Sequence, residues 1–212
     1  MNNKIIIDKP FGPPIARMVM SDDLIESLNT YSDKLISDDI RSKKQNYGTK
    51  LAGNVTQEFS LDDDYISKSG LLKFLGEGIS TWIKTSMNKQ ITNCTITKSW
   101  IVRQFQSEYN PLHLHSGHIS GVGYLKVPKN VGEPFQKDKK KNYNGNIAFV
   151  YGTRQFLSHN VVSVTPSVGE FYLFPHYLNH VVYPFYSKDN EERRSISFNA
   201  RIDENIFNVY SG

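Results

Sequence analysis

The chain has 212 residues, of which 38% are hydrophobic, 12% aromatic and 22% charged; this is the length of one domain, 1–212, with enough apolar side chains for a sizeable core, and it excludes a disordered or collagen-like chain. No apolar stretch approaches the roughly 18 residues of a membrane span, and the apolar run in MNNKIIIDKPFGPP is too short for a signal-peptide core, so no membrane association and a cytoplasmic, intracellular setting are expected. The net charge of +4 owes much to Lys137, Lys139, Lys140 and Lys141, and the single cysteine, Cys94, excludes an internal disulfide framework or a thiolate zinc cluster.

The chain is mixed up to about residue 90. Ser21 is an N-cap, and Asp22 and Asp23 suit the positive end of a helix dipole. Leu24, Leu28, Tyr31 and Leu35 follow at helical spacing. The polar, glycine-containing stretch RSKKQNYGTKLAGN should break that helix. A second helix is predicted over Gly70 to Met87. Leu71, Leu72, Leu75, Ile79, Trp82 and Ile83 form its apolar face, despite Gly76 and Gly78. Residues 1–90 thus read as a helical support region, and its exposed helices would suit a homodimer.

From Ile91 the character changes, with β-branched and aromatic runs punctuated by Gly, Pro and Asn. The predicted strands are CTITKSWIVRQF, ISGVGYLKVP, GNIAFVYG, HNVVSVT, GEFYLFP, NHVVYPF and RRSISFNAR. Short strands at this spacing imply a sandwich or barrel of jelly-roll type over 91–212. Cys94 reads as a buried strand residue. The lysine run, in QKDKKKNYNG, reads as a solvated loop; no nucleic-acid motif accompanies it, so nucleic acid is not the expected partner.

All six histidines lie beyond residue 112. In an extended His113-Leu114-His115 the two imidazoles point to the same face, which is a metal-ligand spacing. His180, after VGEFYLFPHYLN and before another strand, is the best third ligand. His176, after Pro175, reads as a turn residue outside the ligand set, and His159 has no assigned role. Three imidazoles suit iron, zinc, copper or nickel. An open three-ligand site in a sandwich points towards catalysis rather than structural zinc. In ERRSISFNAR, Arg193, Ser195, Ser197 and Asn199 share one face, while Arg194, Ile196 and Phe198 share the other. An inward arginine needs an anion, most naturally a carboxylate held by two parallel hydrogen bonds. Pairing of these arginines with Glu191, Glu192 or Asp203 is the alternative.

The segments SWIVRQF, YNPLHLHSGHISGVGYLKVP, VGEFYLFPHYLNHVVYPF and ERRSISFNAR, in this order, resemble the iron(II)/2-oxoglutarate-dependent oxygenases. The resemblance is stronger to the small 2OG-Fe(II) oxygenases of bacteria and marine phages, covers about 97–201, and extends upstream to LAGNVTQEFSL. It implies a double-stranded β-helix, mostly β, with helices supporting one sheet. It implies Fe(II) and the cosubstrate 2-oxoglutarate, with hydroxylation of a substrate C–H bond and release of succinate and CO2. In the superfamily the metal sits in an HxD/E…H triad. His113 and His180 match its histidines, and His115 stands where the carboxylate would be. A set of His115, His118 and His180 is the alternative. The resemblance also implies that Arg193, with Ser197 and Asn199 at the matching spacing, binds the distal carboxylate of 2-oxoglutarate, Arg194 being the alternative, and that Tyr124 contacts the same molecule. The substrate, a small molecule or a peptide residue, is not legible. Two other readings remain open at this stage: a three-histidine cupin-type dioxygenase without 2-oxoglutarate, and a non-catalytic jelly-roll binding module.

Overall fold

The computed structural model describes residues 5–8, 12–187 and 191–208. In chain order these form β1 (Ile6–Asp8), β2 (Ile15–Val19), α1 (Asp22–Ser37), α2 (Asp39–Gln45), β3 (Gln57–Ser60), α3 (Asp63–Lys68), α4 (Leu71–Met87) and β4 (Cys94–Gln104). There follow β5 (Asn110–His113), β6 (Ile119–Lys126), β7 (Ile147–Val150), β8 (Val161–Val164), β9 (Glu170–Pro175), β10 (Asn179–Val182), β11 (Arg193–Ile202) and α5 (Glu204–Phe207).

Helix α1 starts where its cap predicts, with the Ser21 side chain accepting a hydrogen bond from Leu24 N at 3.3 Å. Leu24, Leu28, Tyr31 and Leu35 are buried, as their spacing requires. The stretch expected to break the helix does so only in part, because α2 occupies its beginning. The cause is Asp38, whose carboxylate accepts from Ile40 N and Arg41 N at 3.1 and 3.0 Å and restarts a helix at once. The short helix is fastened by its buried Gln45, which donates to Tyr31 and Asp62. Helix α4 buries Leu71, Leu75, Ile79, Trp82 and Ile83. Its Gly78 is a packing residue: a Cβ there would lie 2.3 Å from Met18 Cε on β2, so glycine lets helix and sheet approach.

The strands form two antiparallel sheets facing each other. The larger runs β1-β2-β9-β6-β11-β4-β3 and the smaller β5-β10-β7-β8. Three strands of the larger sheet come from the chain before residue 61, a contribution that helical spacing alone does not announce. Each large-sheet strand presents alternate residues to two cores. One core lies under α1 and α4 and holds Phe171, Leu173, Ile196 and Phe198. The other lies between the sheets and holds Val122, Tyr124, Phe149, Tyr172 and Phe174. Gly123 on β6 makes the first core possible, since a Cβ there would stand 2.2 Å from Phe171 Cδ2. Cys94 is half-buried at the start of β4 rather than sealed in the core, because the strand begins at the sheet's end. The lysines between β6 and β7 are exposed, as expected of a solvated loop. No helix among the described residues is long and apolar enough to cross a membrane.

Candidate metal centre

The smaller sheet brings the histidines together. In the ladder between β5 and β10, His113 stands directly opposite His180. His115 follows two residues after His113, with its main-chain N–H donating to His176 O at 2.9 Å. One ligand atom from each of His113, His115 and His180 lies within 4.8 Å of the other two. The Nε2 atoms of His115 and His180 are 3.1 Å apart, close to the roughly 3 Å that separates two imidazole nitrogens bound at a right angle to one metal at about 2.1 Å.

Two of the three rings have their tautomer set by the main chain. His113 Nδ1 lies 2.7 Å from Pro111 O, and His180 Nδ1 lies 2.9 Å from Leu178 O. A carbonyl can only accept, so Nδ1 carries the proton and Nε2 offers its lone pair. The His115 ring is bracketed by Trp100 and Phe174, with centroids at 5.7 and 6.3 Å. Burial in these surroundings, reinforced by the neighbouring imidazoles, lowers the His115 pKa to about 3 and holds His180 well below the ordinary value. Burial also lowers that of His113. All three are therefore neutral at pH 7, the form that ligates metals.

The other histidines lie elsewhere. His118, the alternative ligand, stacks on Phe207 of α5 with centroids 3.7 Å apart, and its Nδ1 accepts from Ile202 N at 3.1 Å. This ring is committed to closing the end of β11. His176 sits in the turn between β9 and β10, with Nδ1 3.1 Å from His115 O.

The three rings open onto a cavity of about 310 Å³ between the sheets. Trp100, Val122, Ile147 and Phe174 supply apolar wall, and Arg193, Ser195, Ser197 and Asn199 of β11 supply a polar one. Asn199 is fixed by Ser120 Oγ, which donates to its Oδ1 at 2.8 Å. Arg193 is 3% exposed. Its Nη1 donates to Gln104 Oε1, while its Nε has no hydrogen-bond partner among the described residues. The guanidinium carbon lies 5.1 Å from the centre of the Tyr124 ring, and the buried Tyr124 hydroxyl, though it interacts with the guanidinium charge, makes no hydrogen bond of normal geometry among the described residues. Burial lowers the pKa of Arg193, and the adjoining tyrosine opposes that shift.

Arg194 points the other way, and protein groups serve both of its terminal nitrogens, its Nε alone lacking a partner among the described residues. It donates to Asn29 O and Oδ1 at 3.2 and 3.1 Å, to Asp33 Oδ1 at 2.6 Å, and to Glu192 Oε1. Arg194, the alternative for the cosubstrate, lies on the helix side, outside the cavity lining, and is paired with acids there. The pairing expected of Glu192 is met by Arg194, not Arg193.

The donor set fits a borderline-soft divalent metal such as Fe(II), because neutral imidazoles suit iron, nickel, copper and zinc alike. Buried Arg193, which pairs with no acid among the described residues, fits a carboxylate, which would satisfy its open donors through the guanidinium fork. Neither the spacing of the histidines nor the alternation of β11 pointed to Glu58, which also lines the cavity. Its signal was the alternation in QEFS, where Phe59 takes the helix side and Glu58 the cavity side.

Residues 98–199 match the sequence model of the family described as "Putative 2OG-Fe(II) oxygenase". Among solved structures the chain is similar to a prolyl-4-hydroxylase of Pseudomonas putida, at 15% identity over 88% of this chain and 92% of that one, with a TM-score of 0.54. It is similar to the viral collagen prolyl hydroxylase vCPH of Paramecium Bursaria Chlorella virus-1 in its 2OG complex, at 13% identity over 88% and 94%, with a TM-score of 0.51. A third is HygX from Streptomyces hygroscopicus with nickel and 2-oxoglutarate bound, at 11% identity over 88% and 82%, with a TM-score of 0.55. At such identities the likeness shows the fold, the double-stranded β-helix. No curated protein sequence matches the chain. The matched residues 98–199, which include the strands that carry the histidines and Arg193, are thus similar to the 2OG-Fe(II) oxygenase family.

Proposed function

We propose that the chain is an iron(II)- and 2-oxoglutarate-dependent oxygenase in which His113, His115 and His180 hold the metal and Arg193 holds the distal carboxylate of 2-oxoglutarate. The observation that carries this is one cavity with three converging neutral imidazoles and a buried arginine that no acid among the described residues serves. With both groups bound, iron and 2-oxoglutarate supply the oxidising chemistry that consumes O2, releases succinate and CO2 and hydroxylates a substrate C–H bond.

The protein's own part is binding, orientation and exclusion of water. Pro111 O and Leu178 O hold the ligand rings in one tautomer. Gln104 aims Arg193, and the Tyr124 hydroxyl is placed to serve the same carboxylate. Ser197 and Asn199 extend the polar wall along β11. Trp100 and Phe174 keep bulk water from the far side of His115. The substrate is a small molecule or a peptide residue that enters this cavity.

Anaerobic titration of 2-oxoglutarate into the Fe(II)-loaded protein tests the reading. A visible metal-to-ligand charge-transfer band is expected. Iron binding without that band would favour the second reading, a three-histidine dioxygenase that needs no 2-oxoglutarate, which the all-histidine donor set motivates. Loss of both would leave a non-catalytic jelly-roll module.

A further inference from the structure

We propose that Glu58 is the substrate-recognition residue of this cavity and that the substrate presents to it a protonated amine. The inference rests on the oxygenase reading of the cavity and names the substrate class of that site. Glu58 is 1% exposed, and neither carboxylate oxygen has a hydrogen-bond partner among the described residues. It lines the same cavity as His113, His115 and His180. Strand β4 separates it from Arg193: Glu58 pairs with Val102 on one side, and Arg193 pairs with Gln104 on the other.

The surroundings are built around this carboxylate without satisfying it. A Cβ at Gly53 would lie 3.0 Å from Glu58 Oε1, and one at Gly48 would lie 3.4 Å from Oε2. The loop before β3 therefore closes over the group while leaving it room. Its charged neighbour is another acid, Glu108, which is itself occupied by Thr56 N and Phe105 N at 3.0 and 2.8 Å. Leaving a buried carboxyl unpaired costs stability, and a glutamine or an apolar side chain would avoid most of that cost. A residue kept at such a cost and aimed into a cavity marks a ligand contact.

The remaining charges fix the sign of that ligand. The other charged residues lining the cavity are Lys50, Lys98 and Arg193. The two lysines lie over the Tyr47 ring, at 5.6 and 4.4 Å from its centre. An anion such as 2-oxoglutarate is drawn to Arg193, and a cationic group has Glu58 alone. An ammonium brings three donors and a full charge to the two free oxygens. The two ligands therefore bind together, each on its own side of β4.

The test uses n-butylammonium and its neutral analogue 1-butanol as probes. Saturation-transfer NMR measures both on protein loaded with Zn(II) and 2-oxoglutarate, so that nothing turns over. The wild-type protein should bind the ammonium about tenfold more tightly than the alcohol, or better. Glu58→Gln should erase that preference and leave 2-oxoglutarate affinity unchanged. Equal binding of the two probes to wild type, no detectable ammonium binding, or a preference that survives in Glu58→Gln overturns the proposal. The wild-type comparison stands even if the variant does not fold. Failure of 2-oxoglutarate to bind would instead count against the oxygenase reading, while the probe ratio still decides the role of Glu58.

Discussion

The two faces of β11 solve the same problem in opposite ways. Arg193 and Arg194 are consecutive, both almost completely buried, and each is an always-charged side chain in a dry place. On the helix face Arg194 is surrounded by Asp33, Glu192 and Asn29, and Glu192 also engages Arg103 and Lys126. On the cavity face Arg193 has one amide, Gln104, and an aromatic ring. In the first arrangement protein acids neutralise the charge, and the contacts hold α1 to the sheet. In the second no acid among the described residues meets the charge, which leaves it open to an anion. Neutralisation by protein therefore separates a structural charge from a binding charge more sharply than burial does.

The contrast can be broken from either side. The largest effect on stability is expected from Arg194→Met, which orphans part of the acid cluster and should cost about 3 kcal/mol in urea unfolding. Equal losses for Arg194→Met and Arg193→Met would erase the distinction between the faces. Arg193→Met should instead leave stability equal or higher, while weakening 2-oxoglutarate binding about 100-fold by calorimetry.

A smaller effect sharpens the comparison by extending it to the cavity's acid. Burial, with the Glu108 charge added, pushes the Glu58 pKa from 4.5 up to about 7. A carboxyl whose folded value is raised favours the fold while protonated, fully so below pH 4.5, and that support is lost as pH rises through about 7. Glu58→Gln should therefore match wild type near pH 4.5 and exceed it by about 3 kcal/mol at pH 8. Unfolding midpoints measured at both pH values check this, and a variant no more stable at pH 8 would show that the carboxyl is satisfied after all.

Much of this architecture was legible in the residues. Apolar spacing located α1 and α4, and β-branched runs located the strands from β4 onward except β5. Period-two alternation separates the faces of β11 in the sequence itself. The short helix α2 was not legible, because it has no apolar stripe and exists through the Asp38 cap and one buried glutamine. Strands β1 to β3 were not legible because they lie before and between the helices, outside the succession of β-branched and aromatic runs that begins at Ile91. The choice between adjacent arginines needed Asp33, which lies 161 positions from Arg194 in the chain. The three clustered histidines are the reverse case: His113 and His115 are neighbours in sequence, and only the distal His180 had to be brought in by the ladder. Glu58 stayed hidden because its significance is a missing partner, and sequence does not record what fails to approach.

The carbonyls of Pro111 and Leu178 have one more consequence. Each lies two residues before the histidine it orients, and each belongs to the main chain. Substitution elsewhere can alter a side-chain acceptor, but a carbonyl oxygen is present whatever residue carries it. The ring orientation is therefore inherited with the path of the strand. The walls of the cavity can drift towards new substrates while the geometry of the histidines passes down unchanged.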